Sequence, residues 1–384
     1  MTVDSPGAFA TMVYSIPYAV VVTGMALSWR FNRSKIFFVL LAIALTYWSV
    51  GNLVANYPVF FPPSVSPGFI KVMLTLLLPL NFVAFSWIKE RGIFTRRGMI
   101  LTGILVAQLL LVYLLWVFAS KGATKVLHIS FWPSSWNLET NLPDFGVLAF
   151  VLGFLVLCYR AYLTRSSLDY GLIVSLLFMA YLLHAWNSEI VIWAVSAAAG
   201  VLVIALVQDA YRKAYVDELT GLPGRRSMEE YLLRLTGMYT VAMVDIDHFK
   251  QCNDRYGHDV GDQVLRMIAS FLRNVERGGK AFRYGGEEFA IIFPGKEMLE
   301  IMSSLDILRE SIADNRFIVR SSLRTPEKPE VPPTREDQKR LAITVSIGCA
   351  QMTDEDRIAA DVIKRADQAL YRAKETGRNR VCRS

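Results

Sequence analysis

Tyr239-Thr240-Val241-Ala242-Met243-Val244-Asp245-Ile246 is a short apolar run, rich in β-branched residues, with a carboxylate near its end. It predicts a strand. Downstream, Val260–Asn274 carries Val264, Leu265, Ile268, Ala269 and Leu272 at helical spacing. Ala281–Tyr284 and Phe289–Phe293 then flank Gly285-Gly286-Glu287-Glu288, which reads as strand, tight turn and strand. Met298–Ala313 predicts a second helix, Ile343–Ala350 another strand and Ile358–Lys374 a final amphipathic helix. The order β-α-β-β-α-β plus a last helix predicts an α+β, ferredoxin-like sheet with helices on one face. Arg320–Arg340 holds four Pro and many charges, and predicts an exposed insertion or mobile loop.

Upstream the composition changes. Residues 1–210 carry 12 Lys and Arg and 7 Asp and Glu; the remaining residues carry 29 and 27. The first part is too apolar for an ordinary soluble domain, which excludes a wholly soluble enzyme. The four Cys (Cys158, Cys252, Cys349, Cys382) are scattered, which excludes a disulfide-built scaffold. The net charge of +7 lies mostly in the apolar part, so no nucleic acid partner is expected.

A helix needs about 20 apolar residues to cross the hydrocarbon core. Seven stretches come near that: Phe9–Trp29, Ile36–Asn56, Phe69–Ile88, Met99–Ala119, Phe145–Tyr159, Tyr170–Ala185 and Ile190–Gln208. The fold expected is an α-helical membrane bundle of about seven spans joined to a cytoplasmic α+β domain. Pro17 and Pro79 fall inside spans, which membrane helices tolerate. Alternate loops carry 11 Lys and Arg against 3, which places the N-terminus outside and the C-terminal domain in the cytoplasm. No cleaved signal peptide is expected, because the first apolar run is too long and lacks basic residues before it. Asn52, Asn56, Asn81, Gln108, His184 and Glu189 are the polar groups in or near spans; most sit at span ends or suit bonds between helices. His184 near Glu189 is a weak candidate for binding a ligand or proton. The longest outside loop, Ser120–Asp144, holds His128, Phe131, Trp132 and Trp136 and has no room for a folded domain. Residues 1–209 thus read as a membrane sensor, 210–216 as a junction and 217–384 as the cytoplasmic domain. The junction has no Gly or Pro, so the last helix is expected to continue through it.

Asp245 ends the first strand, and Glu287 and Glu288 follow the Gly-Gly turn. In a β-α-β-β sheet these two places can be neighbours. Carboxylates gathered there repel unless a cation sits between them. Hard oxygen ligands suit Mg²⁺, which takes one or two carboxylates together with substrate phosphates. Two such ions can clamp a phosphoryl transfer. Gly285 and Gly286 allow phosphates to approach the backbone, and free N–H groups at Phe249 and Lys250 could meet them too.

These blocks resemble the GGDEF family of diguanylate cyclases. The matches are Asp217-Glu218-Leu219-Thr220-Gly221-Leu222, Asp245-Ile246-Asp247-His248-Phe249-Lys250, Asn253-Asp254, Gly257-His258-Asp259-Val260-Gly261-Asp262, Gly285-Gly286-Glu287-Glu288-Phe289, Val345-Ser346-Ile347-Gly348, and Ala366-Asp367-Gln368-Ala369-Leu370-Tyr371 with Lys374 and Gly377-Arg378-Asn379. The resemblance does not extend to residues 1–210. It implies a homodimer in which two GTP molecules condense to cyclic di-GMP and two pyrophosphates, with Mg²⁺ or Mn²⁺ as cofactor. It implies that Asp245, the Ile246 carbonyl, Glu287 and Glu288 handle metal, with Glu287 also the base for the ribose 3′-hydroxyl. Asn253 and Asp262 would bond the guanine edge, His258 would sit beside the nucleotide, and Phe249, Lys250, Lys374 and Arg378 would meet its phosphates. The location implied is the bacterial inner membrane.

Two positions depart from the family. The inhibitory Arg-x-x-Asp before the turn is replaced by Glu276-Arg277-Gly278-Gly279, which puts product inhibition there in doubt. Gly224 stands where Asn is usual. Two other readings stay open: a receptor whose domain binds GTP without turnover, and a transporter with a regulatory domain.

Overall fold

The computed structural model describes residues 8–54, 67–90, 92–127, 140–318 and 340–384. Asn56, the aromatic loop residues His128, Phe131, Trp132 and Trp136, and residues 320–339 of the expected insertion lie outside the described residues. The chain forms two compact units, Met1–Tyr211 and Arg212–Ser384.

The first unit is helical throughout its described residues. Its helices are α1 (Ala8–Arg30), α2 (Ser34–Val54), α3 (Pro67–Trp87), α4 (Arg96–Leu127), α5 (Asp144–Thr164), α6 (Ser167–Ala185) and α7 (Ser188–Tyr215). Six of them are long and apolar enough to cross a membrane; the described apolar part of α2, Ser34–Val50, is shorter. The fifth and sixth helices extend beyond the short apolar runs read from the sequence. Phe38, Phe82, Phe85, Leu172, Leu176, Val195 and Leu202 are among the residues that build one buried core. Polar groups in this unit pair with one another. Arg33 is bonded to Asp209 of α7, and Arg160 lies 2.7 Å from Asp169. The His184 ring nitrogen meets Thr140 Oγ1 at 3.2 Å and the Asn141 N–H at 3.4 Å, so local partners occupy this ring nitrogen.

α7 is one unbroken helix through Tyr215. The second unit continues with α8 (Arg225–Arg234), β1 (Tyr239–Ile246), α9 (Phe249–Tyr256), α10 (His258–Arg273), β2 (Lys280–Arg283), β3 (Glu288–Pro294) and α11 (Met298–Asp314). After these come β4 (Arg316–Ile318), β5 (Arg340–Ala342), β6 (Val345–Gln351), α12 (Ala359–Glu375) and β7 (Val381–Arg383). The main sheet has the order β2-β3-β1-β6-β7. Its first four strands pair antiparallel, as in a ferredoxin-like sheet, and β7 adds parallel to β6. β4 and β5 form a separate two-stranded sheet at the ends of the charged insertion.

The expectation of helices on one face is corrected here. β1 is buried along its whole length. Ala242, Val244 and Ile246 pack with Val264, Leu265 and Ile268 of α10 and with Ile301 and Leu305 of α11. The alternate residues Val241 and Met243 pack with Met228 and Leu232 of α8 and with Val362, Ala366 and Leu370 of α12. Side chains alternate along a strand, so a strand apolar at every position needs cover on both sides. α12 lies so close to β6 that a Cβ on Gly348 would strike the Leu370 and Ala366 backbone. That approach fixes the end of α12 over the end of β1.

Candidate active site

The β ladder builds the site. Asp245 pairs with Glu288 of β3 on one side and with Ser346 of β6 on the other. Asp245 is 4% exposed. In the last turn of α12, Lys374 places its Nζ 2.9 Å from Asp245 Oδ2. Burial raises the Asp245 carboxyl above the usual carboxylate range, against the pull of Lys374. Glu287 is also raised, by burial first and then by the negative charge of Asp245. These carboxylates are close enough to feel one another, and the ammonium group offsets part of their repulsion.

The turn between β2 and β3 is held from behind. The N–H groups of Tyr284 and Gly285 donate to the Glu288 carbonyl at 2.9 and 3.1 Å. Arg283 donates to the Gly285 carbonyl at 3.2 Å, to the Gly286 carbonyl at 2.7 Å and to Asp217 Oδ1 at 2.8 Å. One planar guanidinium thus fixes both glycine carbonyls and aims the turn. Burial would raise the Asp217 carboxyl, but bonds from Thr220 and Arg283 outweigh it and hold the group below its ordinary value. Arg283→Lys keeps the charge and loses the fork. It is expected to loosen the turn, and faster hydrogen exchange of the Tyr284 and Gly285 amides checks this.

A second patch lies on α9 and α10. Asn253 Oδ1 is buried without a hydrogen-bond partner. Such an atom costs stability unless a ligand satisfies it. Gly261 lies beneath it, and a Cβ there would fall on Asn253 Oδ1 and press on the Phe249 ring. Asp262 follows, half-buried in the first turns of α10. Gly261→Ala is expected to displace the Asn253 amide and to destabilise the domain by about 1–3 kcal/mol, which chemical denaturation of the variant checks.

The donor set suits a divalent cation in part. Among the described residues, no group of three or more His, Cys, Asp and Glu side chains closes into a metal site. Asp245, Glu287 and Glu288 bring carboxylate oxygens together at the end of the central strands, and a cation already sits against Asp245 in the form of Lys374. A site with few protein ligands is what Mg²⁺ uses when substrate phosphates complete its shell.

Residues 214–380 match the model of the family described as diguanylate cyclase, GGDEF domain. The second unit is a GGDEF domain. An uncharacterised protein of Bacillus subtilis, YhcK, is 33% identical over 219 residues, covering 52% of this chain and 56% of its own length. The diguanylate cyclase VdcA of Vibrio cholerae is 40% identical over 174 residues, covering 44% and 47%. A solved structure of the coiled coil and GGDEF domain of DgcB from Caulobacter crescentus, in complex with c-di-GMP, shares 32% identity. It covers 50% of this chain and 97% of its own, with a TM-score of 0.44. The chain spans about half the length of the two curated relatives.

In this GGDEF domain, Asp245, Glu287, Glu288 and Lys374 share the end of the central strands, while Asn253 and Asp262 belong to the α9–α10 patch. Phe249 is buried at the start of α9. Lys250 and His258 are exposed near the starts of α9 and α10, and Arg378 is exposed in a turn after α12. Ile246 closes β1 opposite Val345.

The sequence reading missed the roles of Asp247 and Arg283. Asp247 is 7% exposed and accepts from Thr344 Oγ1 and Ser346 Oγ, each at 2.7 Å, and from the Asn379 N–H at 3.1 Å. It ties β1 and β6 to the turn that carries Arg378, where Arg378 and Asn379 both have positive φ. Thr344 and Ser346 lie 97 and 99 residues from Asp247, and Asp217 lies 66 from Arg283, so no local signal marked either role.

Proposed function

We propose that this chain is a membrane-anchored diguanylate cyclase that condenses two GTP to cyclic di-GMP and two pyrophosphates. The observation that carries the reading is the cluster of Asp245, Glu287 and Glu288 with Lys374 against it, inside a domain of the GGDEF family.

The α9–α10 patch holds the base. Asn253 Oδ1, which lacks a partner, and the Asp262 carboxylate both accept hydrogen bonds, and guanine offers N1–H and N2–H donors to them. Lys374 and Arg378 meet the phosphates, Lys374 by leaving Asp245 for the triphosphate. The N–H groups that open α9, at Phe249 and Lys250, have no partner within the helix and point toward anions. His258 lies beside the nucleotide.

Asp245, the Ile246 carbonyl, Glu287 and Glu288 would hold Mg²⁺ or Mn²⁺, which would offset phosphate charge and favour ionisation of the attacking hydroxyl. Glu287 accepts the proton of the ribose 3′-hydroxyl. The freed oxygen attacks the α-phosphorus of the GTP on a facing domain, a P–O bond forms, and the bond to pyrophosphate breaks. The same step in the opposite sense closes the ring, so the active species is a homodimer.

The apolar helices of residues 1–209 support a location in the bacterial inner membrane, and the charge bias of the loops supports an N-terminus outside and a GGDEF domain in the cytoplasm. The continuous α7 gives the membrane region a path to regulate the domain through residues 210–216. A signal would act by changing how often two domains face each other.

The test is direct. Full-length protein in detergent is incubated with GTP and Mg²⁺, and products are separated by chromatography. Cyclic di-GMP that vanishes on adding EDTA supports the reading. GTP binding with no turnover, by protein shown to be dimeric, would favour a receptor instead.

A further inference from the structure

The helical unit has a half-open cavity of about 440 Å³ between α2, α3 and α4. α4 joins the bundle in two places. Near its start, Leu101 and Leu105 enter the main core. Further along, Val112, Leu115 and Trp116 pack on Phe69, Ile70, Val72 and Met73 of α3 in a separate cluster. Lining residues of the cavity run along α4 from Leu105 to Trp116. Protein interiors are close-packed, with few voids larger than a water molecule. A gap of this size, bracketed by two packed clusters, has the volume of a small-molecule site.

Its chemistry narrows the ligand. Trp48, Phe69, Tyr113 and Trp116 contribute aromatic wall. Among the described residues, no Lys, Arg, Asp, Glu or His lines it. The hydroxyls of Thr46 and Ser49 donate back to their own helix, to the Ala42 and Leu45 carbonyls. The other polar lining side chains are Tyr113, the two Trp and the amide pair Asn81 and Gln108. Asn81 Nδ2 donates to Gln108 Oε1 at 3.0 Å, and Gln108 Nε2 donates to Asn81 Oδ1 at 2.9 Å. A primary amide has two N–H groups and two lone pairs. The reciprocal bonds use one of each, leaving further hydrogen-bonding capacity on both side chains. With no countercharge in the walls, an ionised ligand would be costly to bury.

We infer that this cavity binds a neutral, largely apolar molecule carrying one hydrogen-bonding group, which docks on the Asn81–Gln108 pair. The inference rests on the reading that these helices lie in a membrane, so that the ligand arrives through the lipid.

The test uses the full chain in proteoliposomes and 1-dodecanol carrying a mid-chain diazirine as probe. Labelled positions are mapped by mass spectrometry after illumination. Labelling should concentrate on α2, α3 and α4 residues facing the cavity. Excess 1-dodecanol should compete, and dodecane and dodecanoate should compete weakly. Gln108→Leu should reduce cavity labelling about tenfold, the worth of one hydrogen bond lost in an apolar setting. Leu77→Trp, which fills the cavity and leaves the amide pair in place, should abolish labelling there and guards against misfolding of the first variant. Labelling spread over all lipid-facing helices, unchanged by either variant, would overturn the inference: the amides would then only join helices and the gap would hold acyl chains. Extraction of the protein by alkaline carbonate would instead sink the membrane reading itself, which separates the two failures.

Discussion

Glu287→Gln is expected to lower cyclic di-GMP formation by about a thousandfold, within the range for removing a general base that also helps hold a metal. Glutamine keeps the shape and hydrogen-bonding length of the side chain and loses the ability to take a proton. Glu287 stands between Asp245 and Glu288, and its charge is coupled to both. Its removal relieves repulsion, so the fold should not suffer and GTP affinity should change little. The measurement is product formed by the full chain at saturating GTP and Mg²⁺. A mixture of variant and normal chains adds a sharper reading. A dimer with one working base forms one phosphodiester bond, so the linear dinucleotide pppGpG should accumulate. An unchanged rate in the variant would remove Glu287 from the chemistry.

Lys374→Met is expected to lower kcat/KM for GTP about a hundredfold and to loosen the end of β1 when metal is absent. Asp245 is almost fully buried, and Lys374 lies 2.9 Å from its carboxylate. Removing the ammonium leaves a buried negative charge uncompensated. Because Lys374 is one-third exposed, the cost is about 1–3 kcal/mol, less than for a fully buried pair. The catalytic loss has another source, a missing phosphate contact. The two can be told apart. Hydrogen exchange of the β1 and β6 amides should quicken in the variant in EDTA, and Mg²⁺ should restore most of the protection. Exchange and KM both unchanged would mean that the ion pair has no consequence in solution.

Much of the site was legible because its residues lie in short ordered blocks. Asp245 ends an apolar run, and Glu287 and Glu288 follow two glycines; the ladder brings the two places together through the pairing of Asp245 with Glu288. Asp247 and Arg283 were not legible, because their roles depend on partners far along the chain: Thr344, Ser346 and Asn379 for one, Asp217 for the other. α8 and α9 were missed because they are short, ten and eight residues, and mostly polar, so few apolar positions mark them. The second helical layer was announced by β1 itself. Val241 and Met243 are as apolar as Ala242 and Val244, a pattern that requires cover on both faces.

The sheet ends in β2, four residues long, and β7, three residues long. Lys280 stands exposed at the start of the outer β2. Rims this brief, one of them charged, offer little template for strand-to-strand zippering between copies. Two GGDEF domains therefore have no adhesive border to lock them together. They would meet through their nucleotides and part again once the product leaves, so that turnover depends on encounter and not on a permanent pairing of sheets.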